Sequence, residues 1–204
     1  MKLFKTHCDS AVISRYRIWL WLPAIWFGLL IKTAHADMMI EAGVHFGGDE
    51  VIESPYSDGQ TGSIKAGENY TFAFGPMFKL IGNWQLQTTI GMKTGADYAL
   101  DGLDEVEVSL VRFPLNALLF YEIGSFRFGY GTTWHVAPKL KGSGVASNVS
   151  QEFDDAVGEV VEIDFRQTER FLWAIRYTRI EYENSLNGQR YDGTSIGILI
   201  VAQM

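Results

Sequence analysis

The sequence predicts an all-β fold: an eight-stranded antiparallel up-and-down transmembrane β-barrel preceded by a cleavable signal peptide. Three observations predict it. First, residues 106–136 read as one hairpin whose second arm alternates strictly: Phe126, Phe128, Tyr130, Thr132, Trp134 and Val136 face one way, and Arg127, Gly129, Gly131, Thr133 and His135 the other. Side chains alternate across a strand, so this is a ribbon with an aromatic face and a small-or-charged face. About 10 residues of that kind cross a bilayer as a tilted strand. Second, the connections between such segments alternate long and short. Third, the chain begins with an export signal, and no apolar helix follows it.

The signal occupies residues 1–36. Lys2, Lys5, Arg15 and Arg17 form a positive start, residues 18–31 are an apolar run broken by Pro23 and Gly28, and Ala34-His35-Ala36 supplies small residues at a cleavage site. Cleavage is expected after Ala36. The apolar run has 14 residues, short of the roughly 18 wanted for a spanning helix. Five of the 17 basic residues and one of the 24 acidic ones lie in this segment, so residues 37–204 carry a formal charge of −11. That balance disfavours nucleic acid, whose phosphates demand basic surface. Cys8, the one cysteine, leaves with the signal, which excludes disulfides and thiolate metal sites in one exported domain, 37–204.

Within that domain the first strand, 39–46, sets Ile40, Ala42, Val44 and Phe46 against Glu41, Gly43 and His45. A Gly/Ser/Asp/Glu-rich loop, 47–66, precedes the second strand, 70–79, where Tyr70, Phe72, Phe74 and Phe78 alternate with Thr71, Ala73, Met77 and Lys79. The third, 84–93, opposes Trp84, Leu86, Ile90 and Met92 to Gln85, Gln87, Thr89 and Lys93. Residues 94–104 read as a long loop with turn chemistry at Gly95, Asp97, Asp101, Gly102 and Asp104. The fourth strand begins Val106, Val108, Leu110 and then changes phase to Val111, Phe113, Leu115, Ala117, which predicts a β-bulge near Leu110 and puts Glu107, Ser109, Arg112 and Asn116 on the polar face. Pro114 has no donor for a closed ladder. After the central hairpin come a loop at 138–156, strands at 157–166 and 170–178, a loop at 181–189 with the turn pair Asn187-Gly188, and a last strand at 195–204.

Alternation does not say which face is outside, because a soluble lipocalin-like periplasmic barrel would turn the apolar face inward. Aromatic residues at both strand ends favour the membrane: Phe78, Trp84, Phe120, Phe126, Phe165 and Phe171 near the short turns, and Tyr70, Trp134, Tyr177 and Tyr191 near the long loops. The other face carries Glu41, Glu107, Glu162 and Asp164 with Arg112, Arg127, Arg176 and His135, an expected structural ion network in a narrow lumen. The stretches VRFPLNALLFY and FRFGYGTTWHVAPKL resemble the small outer-membrane β-barrels of Gram-negative bacteria, the OmpA/OmpX-like architecture. That resemblance implies residence in the outer membrane among lipid and lipopolysaccharide, insertion by the outer-membrane assembly machinery, and a monomer with a structural or loop-mediated role. It departs at the terminus, where Met204 stands in place of the usual aromatic residue.

No enzymatic activity, cofactor or metal is expected. His45 and His135 lack the spacing of a metal site, and the alternative of a lipid A-modifying enzyme would have to draw its triad from Ser195, Ser109 and His135. The acidic loop residues, among them Asp49, Glu50, Glu53, Asp58, Asp101, Asp104, Glu152, Asp154 and Asp155, read as solvated surface.

Overall fold

A computed structural model describes residues 36–55, 61–101, 104–143 and 150–204, with side chains described outside 52–55, 61–62, 96–101 and 104–107. Residues 1–35 of the signal segment, Gly102, Asp58 and the side chains of Glu53, Asp101, Asp104 and Glu107 therefore lie outside the described residues. The strands are β1 (Ala36–Phe46), β2 (Glu50–Pro55), β3 (Thr61–Lys65), β4 (Asn69–Lys79), β5 (Trp84–Asp101), β6 (Asp104–Ile123), β7 (Phe126–Ser143), β8 (Ser150–Glu152), β9 (Ala156–Arg166), β10 (Phe171–Arg179), β11 (Glu181–Glu183), β12 (Arg190–Asp192) and β13 (Ser195–Gln203).

Eight of them close on themselves. Every neighbouring pair in the order β1-β4-β5-β6-β7-β9-β10-β13 is antiparallel, and β13 returns to β1 from Met39↔Gln203 to Phe46↔Ile196. Closure leaves no unpaired edge in the wall. The short connections gather at one end. Between β6 and β7 only Gly124 and Ser125 intervene, and Gly124 sits at φ +60°, which suits the first central position of a II′ hairpin turn. After β9, Thr168 Oγ1 accepts from the amides of Arg170 and Phe171. The ladder skips the pairings beside Pro76 on β4–β5 and beside Pro114 on β5–β6, where the ring nitrogen has no hydrogen to give.

At the other end the strands outrun their sequence-based limits. Much of 94–104 and 138–156 is ladder: β5 and β6 pair as far as Asp101↔Asp104, and β7 continues to Ser143 beside β8. The 47–66 loop contains the β2–β3 hairpin, and β11–β12 forms a second one beyond β10. Here the polarity of the ribbon inverts. Val108, Leu110 and Leu140 turn inward and pack with Val51, Ile64, Ala66, Phe153, Ala156, Ile180, Tyr182 and Tyr191 in one apolar cluster. An inward-facing apolar cluster is what a water-exposed segment needs, so the strand extensions form a cap with its own core.

The inversion corrects the bulge assignment. On β6, Val108, Leu110 and Arg112 share the inward face without a change of phase, and Ser109 faces away from Arg112. The register shift lies instead on β7: Val111 pairs with Lys139 and Phe113 with Val136, leaving an extra residue at Ala137, whose φ is +46°. Asp155 Oδ1 accepts the Ala137 amide at 2.9 Å, which satisfies the donor that the bulge removes from the ladder.

Candidate functional site

Below the cap, the wall sorts its side chains by polarity. Outward-facing and at least a third exposed are Phe72, Phe74, Ile90, Leu119, Phe128, Val161, Ile163, Trp173, Ile175, Ile198 and Ile200, among others. Trp84, Phe126, Phe165 and Phe171 flank the short-turn end of this belt, with Phe78 half-buried beside them, and Tyr70, Trp134 and Tyr177 stand nearer the loops. Two expected girdle members are corrected. Phe120 is fully buried in the lumen, because its parity matches Arg112 and Leu118, and Tyr191 belongs to the apolar core of the cap.

Inside the same wall lie Glu41, Gln87, Arg127, Glu162, Asp164 and Arg176, all almost fully buried. No aqueous protein surface is built with isoleucine and phenylalanine outside and paired charges inside; hydrocarbon is the solvent that fits this order. The chain is a transmembrane β-barrel.

The barrel's ion pairs are set by strand register. Arg176 and Glu162 are direct cross-strand partners on β10 and β9, and Arg127 and Asp164 on β7 and β9. Arg176 Nε donates to Glu162, its Nη2 donates to Glu41 Oε2 at 2.9 Å, and Gln87 Nε2 donates to Glu41 Oε1. Arg127 donates to Asp164 Oδ2 from Nε at 2.8 Å and Nη2 at 2.5 Å, and to Gln85 Oε1 from Nη1 at 3.1 Å. The Phe120 ring lies under its guanidinium, 4.5 Å from centroid to Cζ. At the short-turn rim, Glu122 Oε2 accepts from Arg166 at 3.0 Å and from Gln85 at 2.5 Å. Apolar filler completes this level: Met39, Met77, Leu172, Ala174, Leu199 and Val201 form one cluster, Leu118, Phe120 and Val160 another.

Gly129 makes room for that filler. A Cβ there would lie 2.7 Å from Phe120 Cδ1. Gly129→Ala is therefore expected to push the ring off the Arg127 guanidinium and cost about 1–3 kcal/mol, as overpacking does. A shifted midpoint in urea unfolding from lipid vesicles would show it, and an unchanged midpoint would mean that the ring has another place to go.

Higher in the lumen the partners change. Arg112 Nη1 donates to the carbonyl of Ala66 and to Tyr182 Oη at 3.2 Å, and Tyr182 Oη lies 2.6 Å from His135 Nδ1. Burial raises the Tyr182 phenol above its ordinary pKa, so it stays neutral there. Lys93 and His45 are also buried at this level.

Of the sequence-predicted residues, Glu41, Arg176 and Glu162 come together, Arg127 and Asp164 form a neighbouring pair, and Arg112 joins His135 through Tyr182. The side chain of Glu107 lies outside the described residues. Outside the expected ion network were Glu122, Tyr182 and Arg166, the last of which shares the polar face of its strand with Glu162 and Asp164. Tyr182 had no signal, since it lies beyond the last alternating residue of β10, whereas Lys93 shared the parity of Gln85 and Gln87. The proposed triad is not assembled: Ser109 faces outward, and the side chain bonded to His135 is Tyr182. Among the described residues, no group of three His, Cys, Asp or Glu is placed to hold a metal. Several loop acids brace the cap. Asp49 Oδ2 accepts the Asp192 amide at 2.9 Å, Ser185 donates to Asp154 at 2.7 Å, and Glu152 pairs with Lys139 at 2.9 Å.

No described protein family matches the chain, and no curated protein is similar to it in sequence. Solved structures do match. Ail of Yersinia pestis, crystallised with the heparin analogue sucrose octasulfate, aligns over 83% of this chain and 97% of its own at 10% identity and a TM-score of 0.47. Neisserial surface protein A aligns over 83% and 99% at 8% identity and 0.46, and OprG from Pseudomonas aeruginosa over 84% and 97% at 16% identity and 0.42. Identities this low say nothing about activity, and the place of the barrel in a membrane rests on its own strand pairing and polarity.

Proposed function

We propose that the chain is a small integral protein of the bacterial outer membrane, exported by residues 1–36, cleaved after Ala36 and inserted by the outer-membrane assembly machinery. It works as a monomer, structurally or through its cap, and performs no catalysis. The observation that carries this reading is the outward apolar belt closed around a charged, filled lumen. A strand protein of that polarity needs lipid, and an exported one meets lipid that accepts barrels at the outer membrane. The interior of an eight-stranded barrel is just wide enough for side chains. Here Arg127, Arg176, Phe120, Met77 and Leu172 are buried inside it, which supports a barrel with no sizeable pore. The belt would sit in lipid, with the acidic cap among the sugars of lipopolysaccharide.

Two measurements test this. Density-gradient fractionation should put the protein with outer membranes, released only by detergent, with Asp37 as its first residue. Planar-bilayer recordings should show no steady conductance at the nanosiemens scale. Release in buffer would overturn the location, and steady channels would overturn the filled lumen.

A further inference from the structure

Lys93 and Arg112 are direct cross-strand partners on β5 and β6, and both are almost fully buried in the upper lumen. Like charges placed opposite each other on a ladder repel, and burial removes the water that would screen them. Among the described residues neither forms an ion pair with a carboxylate. The buried carboxylates Glu41, Glu162 and Asp164 lie at the level below and are bonded to Arg176 and Arg127. Arg112 spends its terminal nitrogens on the carbonyls of Ala66 and Glu68 and on Tyr182, which leaves Nε without a partner.

The surrounding wall is rich in unused polar atoms. Both ring nitrogens of His45 are buried without a partner, as are His135 Nε2 and the hydroxyls of Thr133 and Thr178. Arg112 can only donate to Tyr182 Oη, so the phenol hydrogen is free to point at His135 Nδ1. With the phenol hydrogen so placed, His135 carries its ring proton on Nε2, the tautomer that an anion site there requires. The His45 ring is accommodated by Gly197, where a Cβ would lie 2.8 Å from Nε2. The apolar cluster containing Tyr182, Phe153 and Leu140 lies on the loop side of these groups. Native interiors rarely leave so many buried polar groups unused, and they rarely leave buried cations uncompensated.

We propose that the upper lumen binds a small inorganic anion, of chloride to phosphate size, held by Lys93 Nζ with Arg112 Nε, His45 and His135 Nε2. These side chains are buried on the inward face of the wall, away from the lipid-facing belt, so the ligand comes from solution. The site is independent of the membrane in which the barrel resides.

The test uses the full exported chain, refolded in detergent and freed of halide and oxyanion by dialysis into gluconate. At matched ionic strength, chloride or inorganic phosphate should raise the thermal midpoint saturably, by roughly 5–10 °C at a hundredfold excess over Kd. Lys93→Met should lose that response while still folding. Equal midpoints in gluconate, chloride and phosphate would overturn the proposal, as would a Lys93→Met protein that keeps the full response. Crystals of the unaltered protein soaked in bromide give a second reading that needs no variant. An anomalous peak within hydrogen-bond reach of Lys93 Nζ supports the site, and bromide confined to the surface overturns it.

Discussion

Replacing Arg176 by Met should destabilise the barrel by about 3–5 kcal/mol, the usual cost of removing one partner from a buried charge pair. Arg176 holds two carboxylates at once, Glu41 two strands away on β1 and Glu162 on the next strand. Without it, both acids keep their burial and lose their main cation. Gln87 still donates to Glu41, but a neutral amide does not replace a guanidinium. The measurement is urea unfolding from lipid vesicles, followed by tryptophan fluorescence. Adding Glu41→Gln and Glu162→Gln to Arg176→Met should recover most of the loss, because the triple variant leaves neither carboxylate of this cluster buried without its cation. An intact single variant would mean that water reaches these carboxylates and the lumen is not packed.

How far the sequence can be read depends on the solvent around each stretch. Within the belt each strand has one face in lipid and one in the lumen, so hydrophobic alternation maps directly onto geometry. Arg127, Glu162, Asp164 and Arg176 were readable for that reason. Above the belt the outer face meets water, and the same alternation takes the opposite sign. Val108 and Leu110 look like lipid-facing residues and are cap core, which made a continuous strand read as a bulged one. The real bulge, at Ala137, hides because its neighbours Val136 and Pro138 suit either face. Phe120 is misread for another reason: an aromatic residue beside a turn suits a girdle as well as a lumen, and only parity with Arg112 separates the two. The ion pairs depend on register as well as on face. Arg176 meets Glu162 because β9 and β10 align them as partners, a relation set by the length of the turn after β9.

Ile175→Arg should cost about 2–4 kcal/mol, the depth-dependent penalty of a charge at the middle of a bilayer on a barrel's lipid face. Ile175 pairs with Ile163 on one side and Ile198 on the other, and all three are exposed on the outer wall. The row offers the new guanidinium no carboxylate. On a barrel surrounded by water the same change would be an ordinary surface substitution, within about 0.5 kcal/mol of neutral. A second variant separates lipid from a generic intolerance of the fold. Val157 is 70% exposed and pairs with Trp134 at the loop end of the belt, so Val157→Arg should cost at most about 1 kcal/mol. A steep difference between the two positions, measured in vesicles, reports a hydrocarbon slab between the two aromatic girdles. Equal costs would place this wall in a medium without a depth axis, and the belt would then require a protein partner in place of a membrane.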